Sequence, residues 1–358
     1  LEQLTRGLFA VTAFSTVVTD FSKPSRDRLT NIAADPSFRL AVRRIEVKNH
    51  TTSSGRTGPD RDHVPGYDDD DIWPRCTDTY YREIDVSSKR VKQFAEALLC
   101  FPNCTRAVIP DYENLGPVSP RHAKRKGSHL RFNLIQKEDI SSDDAAEILL
   151  HAYSLPGAPP IRSFQALLRE DTDVPASLTF TKATLDAVRK NWGTYLEGLV
   201  LQFPSYGNME TFRLITDAHS LTSLRIVWNE RWEINGPPGD KLFRHLDDSP
   251  DFAPPLETLA LGGITLGEEG DLLPRFLSRF QDTLVSLAFS ELSLTPGAWK
   301  SVFRYLTAFP NLESLSIYNC TEGANNLVFC KMCASRNPQD LCGTSNLPRE
   351  RPPRKPGT

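Results

Sequence analysis

The chain has 358 residues, of which 39% are apolar and 24% charged, a composition typical of a folded protein. Its formal charge of −3 argues against nucleic acid or an anionic membrane as the main partner. No apolar run reaches the roughly 18–20 residues that a membrane-spanning helix needs.

The first fifty residues predict strands on either side of a helix. The apolar run Leu8–Val11 indicates a strand, and Ser25–Ala34 has the pattern of a helix that Asp35-Pro36 ends. The next segment, Val42–Asn49, predicts a second strand, with Val42, Ile45 and Val47 directed into the core.

Residues 50–82 interrupt this pattern. The segment is polar, rich in Gly and Pro, and contains four aspartates at Asp68–Asp71, which predicts a long surface insertion. The acidic run lacks the ligand spacing of an EF-hand calcium loop. We therefore interpret it as a solvated charge run rather than a calcium site.

The remainder of the chain repeats one pattern. The frame L-x-x-L-x-L starts at Leu196, Leu221, Leu256, Leu284 and Leu312, which gives spacings of 25, 35, 28 and 28 residues. Degenerate copies start at Val42, Cys104 and Ile161, and helical patterns separate the copies. The turn Phe-Pro-Asn precedes two of these copies, at residues 101–103 and 309–311. Frame and period are typical of leucine-rich repeats, whose units stack to bury one continuous core. The alternative is an α/β domain with unrelated buried strands.

We therefore predict an α/β fold over residues 1–320, a ribonuclease-inhibitor-like leucine-rich-repeat solenoid of about eight irregular units. Its parallel sheet would line a concave face, with the helices outside. Residues 321–358 show no frame and end in a basic, proline-rich run, so we expect a disordered, cysteine-containing tail.

The predicted binding surface is the concave face of the sheet. Side chains between the inward positions of each frame would face a partner there. The candidates are charged at the N-terminal end and small and neutral toward the C-terminal end: Arg44, Glu46, Lys48, Arg106, Gln202, Arg225, Ser286, Ala288 and Ser290. Trp228 follows a predicted strand and could anchor a partner, or instead pack on the edge of the solenoid.

The cysteines suggest a compartment and one alternative function. Seven cysteines, an odd number, do not fit a secreted disulfide framework, so we expect an intracellular protein, cytoplasmic or nuclear. Cys320, Cys330, Cys333 and Cys342 have the spacing C-x9-C-x2-C-x8-C, which leaves a zinc site open as an alternative. Cys320, however, occupies the position where leucine-rich repeats use Asn or Cys to bond the backbone. We therefore expect no cofactor.

No catalytic motif is evident. The sequence contains no G-x-S-x-G, P-loop, HExxH or dinucleotide-binding fingerprint, and its seven histidines are scattered. We therefore expect a non-enzymatic protein that acts by binding another protein.

A family resemblance extends this expectation. Residues 8–11 (LFAV), 25–49 (SRDRLTNIAADPSFRLAVRRIEVKN), FPNCT and FPNLESLSI resemble fungal F-box proteins with degenerate leucine-rich repeats. The resemblance covers most of residues 1–320 and implies a substrate-recognition subunit of a ubiquitin ligase. In that family an F-box binds the adaptor of a cullin–RING ligase, and the repeats receive the protein substrate. This chain begins at Leu1 without an F-box, so we expect any such module to lie upstream. A repeat scaffold with no ubiquitin link is the alternative.

Overall fold

The computed structural model describes residues 2–21, 23–47, 88–110, 142–167, 182–203, 209–228, 238–267, 271–323 and 325–326. Helices and short strands alternate along these residues. The predicted insertion at 50–82 lies outside them, as does most of the predicted tail at 321–358. Among the described residues, no helix combines the length and the apolar character needed to cross a bilayer.

The described elements fall into two groups. The helices are α1 (Glu2–Phe14), α2 (Lys23–Ala34), α3 (Pro36–Ala41), α4 (Lys89–Leu99), α5 (Ser142–Ser154), α6 (Lys182–Tyr195), α7 (Met209–Thr216), α8 (Pro238–Asp247), α9 (Leu272–Ser278) and α10 (Ala298–Leu306). The strands are β1 (Thr16–Thr19), β2 (Arg44–Val47), β3 (Arg106–Ile109), β4 (Ser163–Leu167), β5 (Gly198–Phe203), β6 (Ser223–Trp228), β7 (Thr258–Gly262), β8 (Ser286–Ser290), β9 (Ser293–Leu294), β10 (Ser314–Tyr318), β11 (Thr321–Glu322) and β12 (Asn325–Asn326).

Nine of these strands form one parallel sheet. Their order in space, β1-β2-β3-β4-β5-β6-β7-β8-β10, follows their order in the chain. From α4 to α10, each helix contacts the helix before or after it in the chain, so the helices form a second layer in the same order. This arrangement confirms the predicted α/β class with a parallel sheet, and it is consistent with a repeat solenoid.

The repeat frame explains where the core lies. Within each frame, positions 4 and 6 belong to the strand and share a face, while position 1 enters from the preceding turn. In the unit that starts at Leu196, this residue, Leu199 and Leu201 are all fully buried. Each such leucine contributes about 1.5–3 kcal/mol of hydrophobic stabilisation. The same three positions recur in one hydrophobic cluster that includes the inner faces of the helices.

A backbone ladder fixes the register between units. The carbonyl at frame position 2 of each unit accepts hydrogen bonds from the amides at positions 2 and 3 of the next unit. For example, the Glu197 carbonyl accepts from the amides of Thr222 and Ser223, both at 2.9 Å. We call the position-2 residues the edge row: Ser15, Arg43, Thr105, Arg162, Glu197, Thr222, Glu257, Val285 and Glu313. The ladder itself is formed by backbone groups and so constrains most edge-row side chains little, although the Thr222 hydroxyl also donates to the Glu197 carbonyl at 3.1 Å.

The N-terminal prediction was wrong in one respect. Residues 8–11 belong to the helix α1 rather than to a strand, and Ala10 is buried while Leu8 and Phe9 are 68% and 57% exposed. The strand of this unit is β1, which pairs in parallel with β2. The sequence pattern did not reveal this unit, because position 6 of its frame is Thr19, a polar residue that is nevertheless only 1% exposed. The Thr19 hydroxyl oxygen accepts hydrogen bonds from the Ser25 hydroxyl at 3.0 Å and from a backbone amide, so its burial is compensated. In the described part of the chain the sheet therefore has nine strands, one more than the predicted eight units.

The predicted end of folded structure at Cys320 was too early. Strand β11 follows Cys320 immediately and pairs in parallel with β9 and antiparallel with β12. This three-stranded sheet is built from backbone pairing in segments of two residues, and so it carries no periodic apolar pattern that a sequence could reveal.

Candidate partner-binding surface

One face of the nine-stranded sheet is free of helices in the part of the chain that the structure describes. Frame positions 4 and 6 are buried against the helical layer, except for the half-buried Leu315 and Ile317 of β10, whereas positions 3 and 5 are mostly half-buried or exposed. The strand pairings align these positions across units, so that Arg225, for example, lies beside Val200 and Ala260. We call the side chains at positions 3 and 5 the open face. Parallel sheets usually have both faces covered, which makes this surface unusual.

The N-terminal end of the open face carries charge. Arg44 and Glu46 form an ion pair at 3.0 Å on β2, with side chains 39% and 13% exposed. Arg106 follows on β3 and is exposed. On the same strand, Val108 occupies position 5 of the frame but is only 4% exposed. The predicted contact residue Lys48 lies outside the described residues.

The middle and C-terminal part of the open face is smoother. Arg225 is exposed in the middle of β6, and Gln202 is half-buried near the end of β5. Beyond them the aligned residues are small, with Ala260 beside Ala288 in the paired strands β7 and β8. The face thus changes from charged at one end to small and neutral at the other, with Arg225 between them. Whether these residues contact a partner remains a prediction.

Trp228 does not belong to this surface. It is 3% exposed, and its ring lies 6.3 Å from that of Phe212, between centroids. Side chains two residues apart in a strand share a face, and β6 continues to Trp228. Trp228 therefore faces the same way as the buried Leu224 and Ile226. Its inclusion among partner-contacting residues was wrong, and of the two roles considered the packing role is correct.

A basic pocket opens at the edge of the sheet, where the chain enters the strands. It has a volume of about 530 Å³, and its charged lining consists of Arg43, Arg106 and Arg162. We call these three residues the arginine pocket. Arg162 also forms an ion pair with Glu197 of the next unit at 2.7 Å, with side chains 55% and 49% exposed. Among the described residues, neither Arg43 nor Arg106 has an acidic partner.

Sequence reasoning missed this pocket because it considered only the outward strand positions. Arg43 and Arg162 occupy frame position 2, before the strand begins. Reading down that column would have revealed a pattern: arginine in the second and fourth units, then glutamate at Glu197, Glu257 and Glu313. The signal was therefore present in the sequence.

The described cysteines have structural environments. Burial raises the pKa of the Cys104 thiol to about 12, although a hydrogen bond with Tyr153 opposes this shift. Burial also raises the pKa of Cys320, whose thiol donates to the Tyr318 carbonyl at 3.5 Å. Cys330, Cys333 and Cys342, the other three cysteines of the predicted zinc alternative, lie outside the described residues. Within the described ranges, no group of His, Cys, Asp or Glu side chains could hold a metal ion.

Comparison with known proteins gives no further information on the function of this chain. None of the protein-family models matches this sequence, and none of the curated proteins does. The geometry of the open face and of the arginine pocket therefore carries the functional argument.

Proposed function

We propose that this chain is a protein-binding module and that the open face of its sheet is the contact surface. The observation that carries the proposal is that nine parallel strands, aligned in register, have helices on one face only among the described residues. Nine strands spaced about 4.8 Å apart and about five residues long give a surface of roughly 600 Å². A stable protein interface uses about 800 Å² on each partner, so the open face could supply most of one.

The distribution of side chains supports protein as the ligand. Exposed arginines such as Arg225 are enriched in the energetically dominant parts of interfaces. The small side chains around Ala260 and Ala288 allow a partner backbone to approach closely. An overall charge of −3 provides no general attraction for a polyanion.

We further propose that the bound protein is a substrate of a ubiquitin ligase, in which this chain acts as the recognition subunit inside the cell. The support is the resemblance of residues 1–320 to fungal F-box proteins with leucine-rich repeats, together with a described architecture that is consistent with such repeats. A repeat scaffold without a ubiquitin link uses the same open face and is the second candidate.

The test is affinity purification of the full-length protein from its own cells, followed by mass spectrometry of the proteins recovered. The variants Arg225→Glu and Ala260→Arg change adjacent residues of the open face. The matched control Arg304→Glu changes an exposed residue of α10, in the helical layer. We expect the open-face variants to lose a subset of partners that the control retains, with unchanged thermal unfolding. Loss of no partner from either open-face variant would refute the binding surface.

The same experiment separates the two candidates. A ligase subunit would recover a cullin and its adaptor with every variant, since the adaptor would bind through the upstream F-box. Absence of both proteins, with an F-box confirmed in the bait, would leave the scaffold.

A further inference from the structure

The edge row, with Arg106 of the adjoining open face beside it, provides a second surface along the edge of the sheet. It runs across all nine units of the sheet, and its charge changes sign along the way. Arginines occupy the N-terminal half, at Arg43 and Arg162, and glutamates occupy the C-terminal half, at Glu257 and Glu313, with Glu197 between. The backbone ladder does not require this order, because the arginines and glutamates of the edge row hold the register through their backbone groups.

The arginine pocket brings the basic side chains of three consecutive units together at one place. Consecutive units place Arg43, Arg106 and Arg162 side by side, since the Arg43 carbonyl accepts from the Arg106 amide at 3.3 Å and the Thr105 carbonyl accepts from the Arg162 amide at 2.8 Å. Two strand steps of about 4.8 Å separate the outer two arginines, so the basic half spans about 10 Å. A pocket of about 530 Å³ is large enough for more than one side chain of a ligand.

The arginines are available to a ligand. Arg43 and Arg106 are exposed and have no acidic partner among the described residues. Arg162 is paired with Glu197, but both side chains are about half exposed, and such surface pairs contribute only about 0–1 kcal/mol. A carboxylate of a ligand could therefore replace Glu197 at little cost. Guanidinium groups bind carboxylates through paired, charge-assisted hydrogen bonds.

The acidic half limits the kind of ligand. Glu257 and Glu313 are exposed and lie two units apart, about 10 Å, without a basic partner in the described part of the chain. A long polyanion that filled the arginine pocket and continued along the row would be repelled there. A segment that changes from acidic to basic would be attracted at both ends.

We propose that the edge row binds an extended segment of a partner protein in which an acidic cluster, seated in the arginine pocket, is followed at a set distance by a basic cluster. The centre of the pocket and the midpoint between Glu257 and Glu313 are five strand steps apart, about 24 Å. An extended peptide covers that distance in about seven residues. This inference rests on the proposed function, since it adds a second contact to a protein-binding module.

The test measures binding of labelled peptides to the full chain by fluorescence anisotropy. The block peptide contains three glutamates, a Gly-Ser-Gly-Ser spacer and three lysines, which puts the centres of its charged blocks about 23 Å apart when extended. A peptide of the same composition with alternating charges is the control for nonspecific attraction, and an oligothymidylate of similar length tests the nucleic-acid alternative. We expect the block peptide to bind at least about tenfold more tightly than either.

Protein variants locate the site. Arg43→Gln and Arg106→Gln should each weaken binding of the block peptide by about three- to tenfold, as loss of an ion-paired hydrogen bond predicts. Glu257→Gln and Glu313→Gln should have smaller effects in the same direction. The matched control Arg304→Gln removes the same charge from the helical layer and should have no effect, and thermal unfolding checks that all variants remain folded.

Several outcomes would overturn the inference. These are undetectable binding of the block peptide to the folded protein, equal binding of the alternating peptide, tighter binding of the oligothymidylate, or an equal loss in Arg304→Gln. The Arg225→Glu variant of the open face should bind the block peptide normally. If it loses cellular partners while the edge-row peptide fails to bind, the proposed function stands and the edge-row inference fails.

Discussion

Gly263 provides the sharpest test of the packing between units. It follows β7 with φ of +62°, and its amide donates to the Ser290 carbonyl at 2.9 Å. A Cβ atom added here would lie 1.7 Å from the Trp228 carbonyl oxygen, whereas real Cβ contacts essentially never fall below 3.0 Å. Backbone in two adjacent units would have to separate by at least 1.3 Å. We therefore expect Gly263→Ala to destabilise the protein by about 4 kcal/mol, the sum of a left-handed conformation and a backbone displacement.

Gly297 is the matched control for this prediction. Its φ is +87°, so alanine has the same conformational cost of about 1–2 kcal/mol, but nothing lies within 4 Å of an added Cβ. Urea unfolding followed by circular dichroism measures the free energy of unfolding for both variants. If Gly263→Ala were no more destabilising than Gly297→Ala, the close approach between Gly263 and Trp228 would be refuted.

Three further predictions test the core and its titratable groups. Trp192→Phe should reduce the free energy of unfolding by about 2 kcal/mol, since the buried indole donates to the Leu214 carbonyl at 2.6 Å; an unchanged value in urea unfolding would contradict this hydrogen bond. The exposed Cys100 should react with iodoacetamide in the native protein while Cys104, with its pKa near 12, should not, as peptide mass mapping would show. Burial lowers the pKa of His245 in the folded protein, and the positive charge of Arg213 lowers it further. As the pH falls below 6.5, this histidine is therefore protonated in the unfolded chain before it is protonated in the folded protein. The free energy of unfolding should therefore fall as the pH is lowered below 6.5. Denaturant titrations at several pH values should show a smaller fall for His245→Gln than for the wild-type protein.

The parts of the fold that depend on large apolar side chains could be predicted from the sequence. Leu312, Leu315 and Ile317 mark the strand β10 because positions 1, 4 and 6 must fill the core. Strand β1 was missed because Thr19 takes position 6 and satisfies its hydroxyl locally, which no hydrophobic pattern records. The helix over residues 8–11 was missed because a short apolar run does not distinguish helix from strand.

The candidate surface, too, could be predicted from the sequence only in part. The outward positions of the strands followed from the frame, so the placement of Arg225 could be predicted. The burial of Trp228 depended on how far β6 extends, which is set by its pairing with Phe203 of the neighbouring strand. To predict the arginine pocket, one would have to know which units are neighbours in space. Arg43 and Arg162 are 119 positions apart in the chain but only two strands apart in the sheet.

The frame separates the residues that stabilise this protein from those available for recognition. Positions 1, 4 and 6 supply the buried apolar surface, and the backbone at position 2 supplies the register. Most side chains at positions 2, 3 and 5 are half-buried or exposed, and substitutions of the exposed ones should cost about 0.5 kcal/mol or less, whereas Val108 at position 5 is buried. An ordered change from arginine to glutamate along position 2 adds little to stability, because exposed pairs such as Arg162 with Glu197 contribute about 0–1 kcal/mol. Its most economical physical explanation is therefore complementarity to a ligand, which edge-row variants of unchanged stability can test directly.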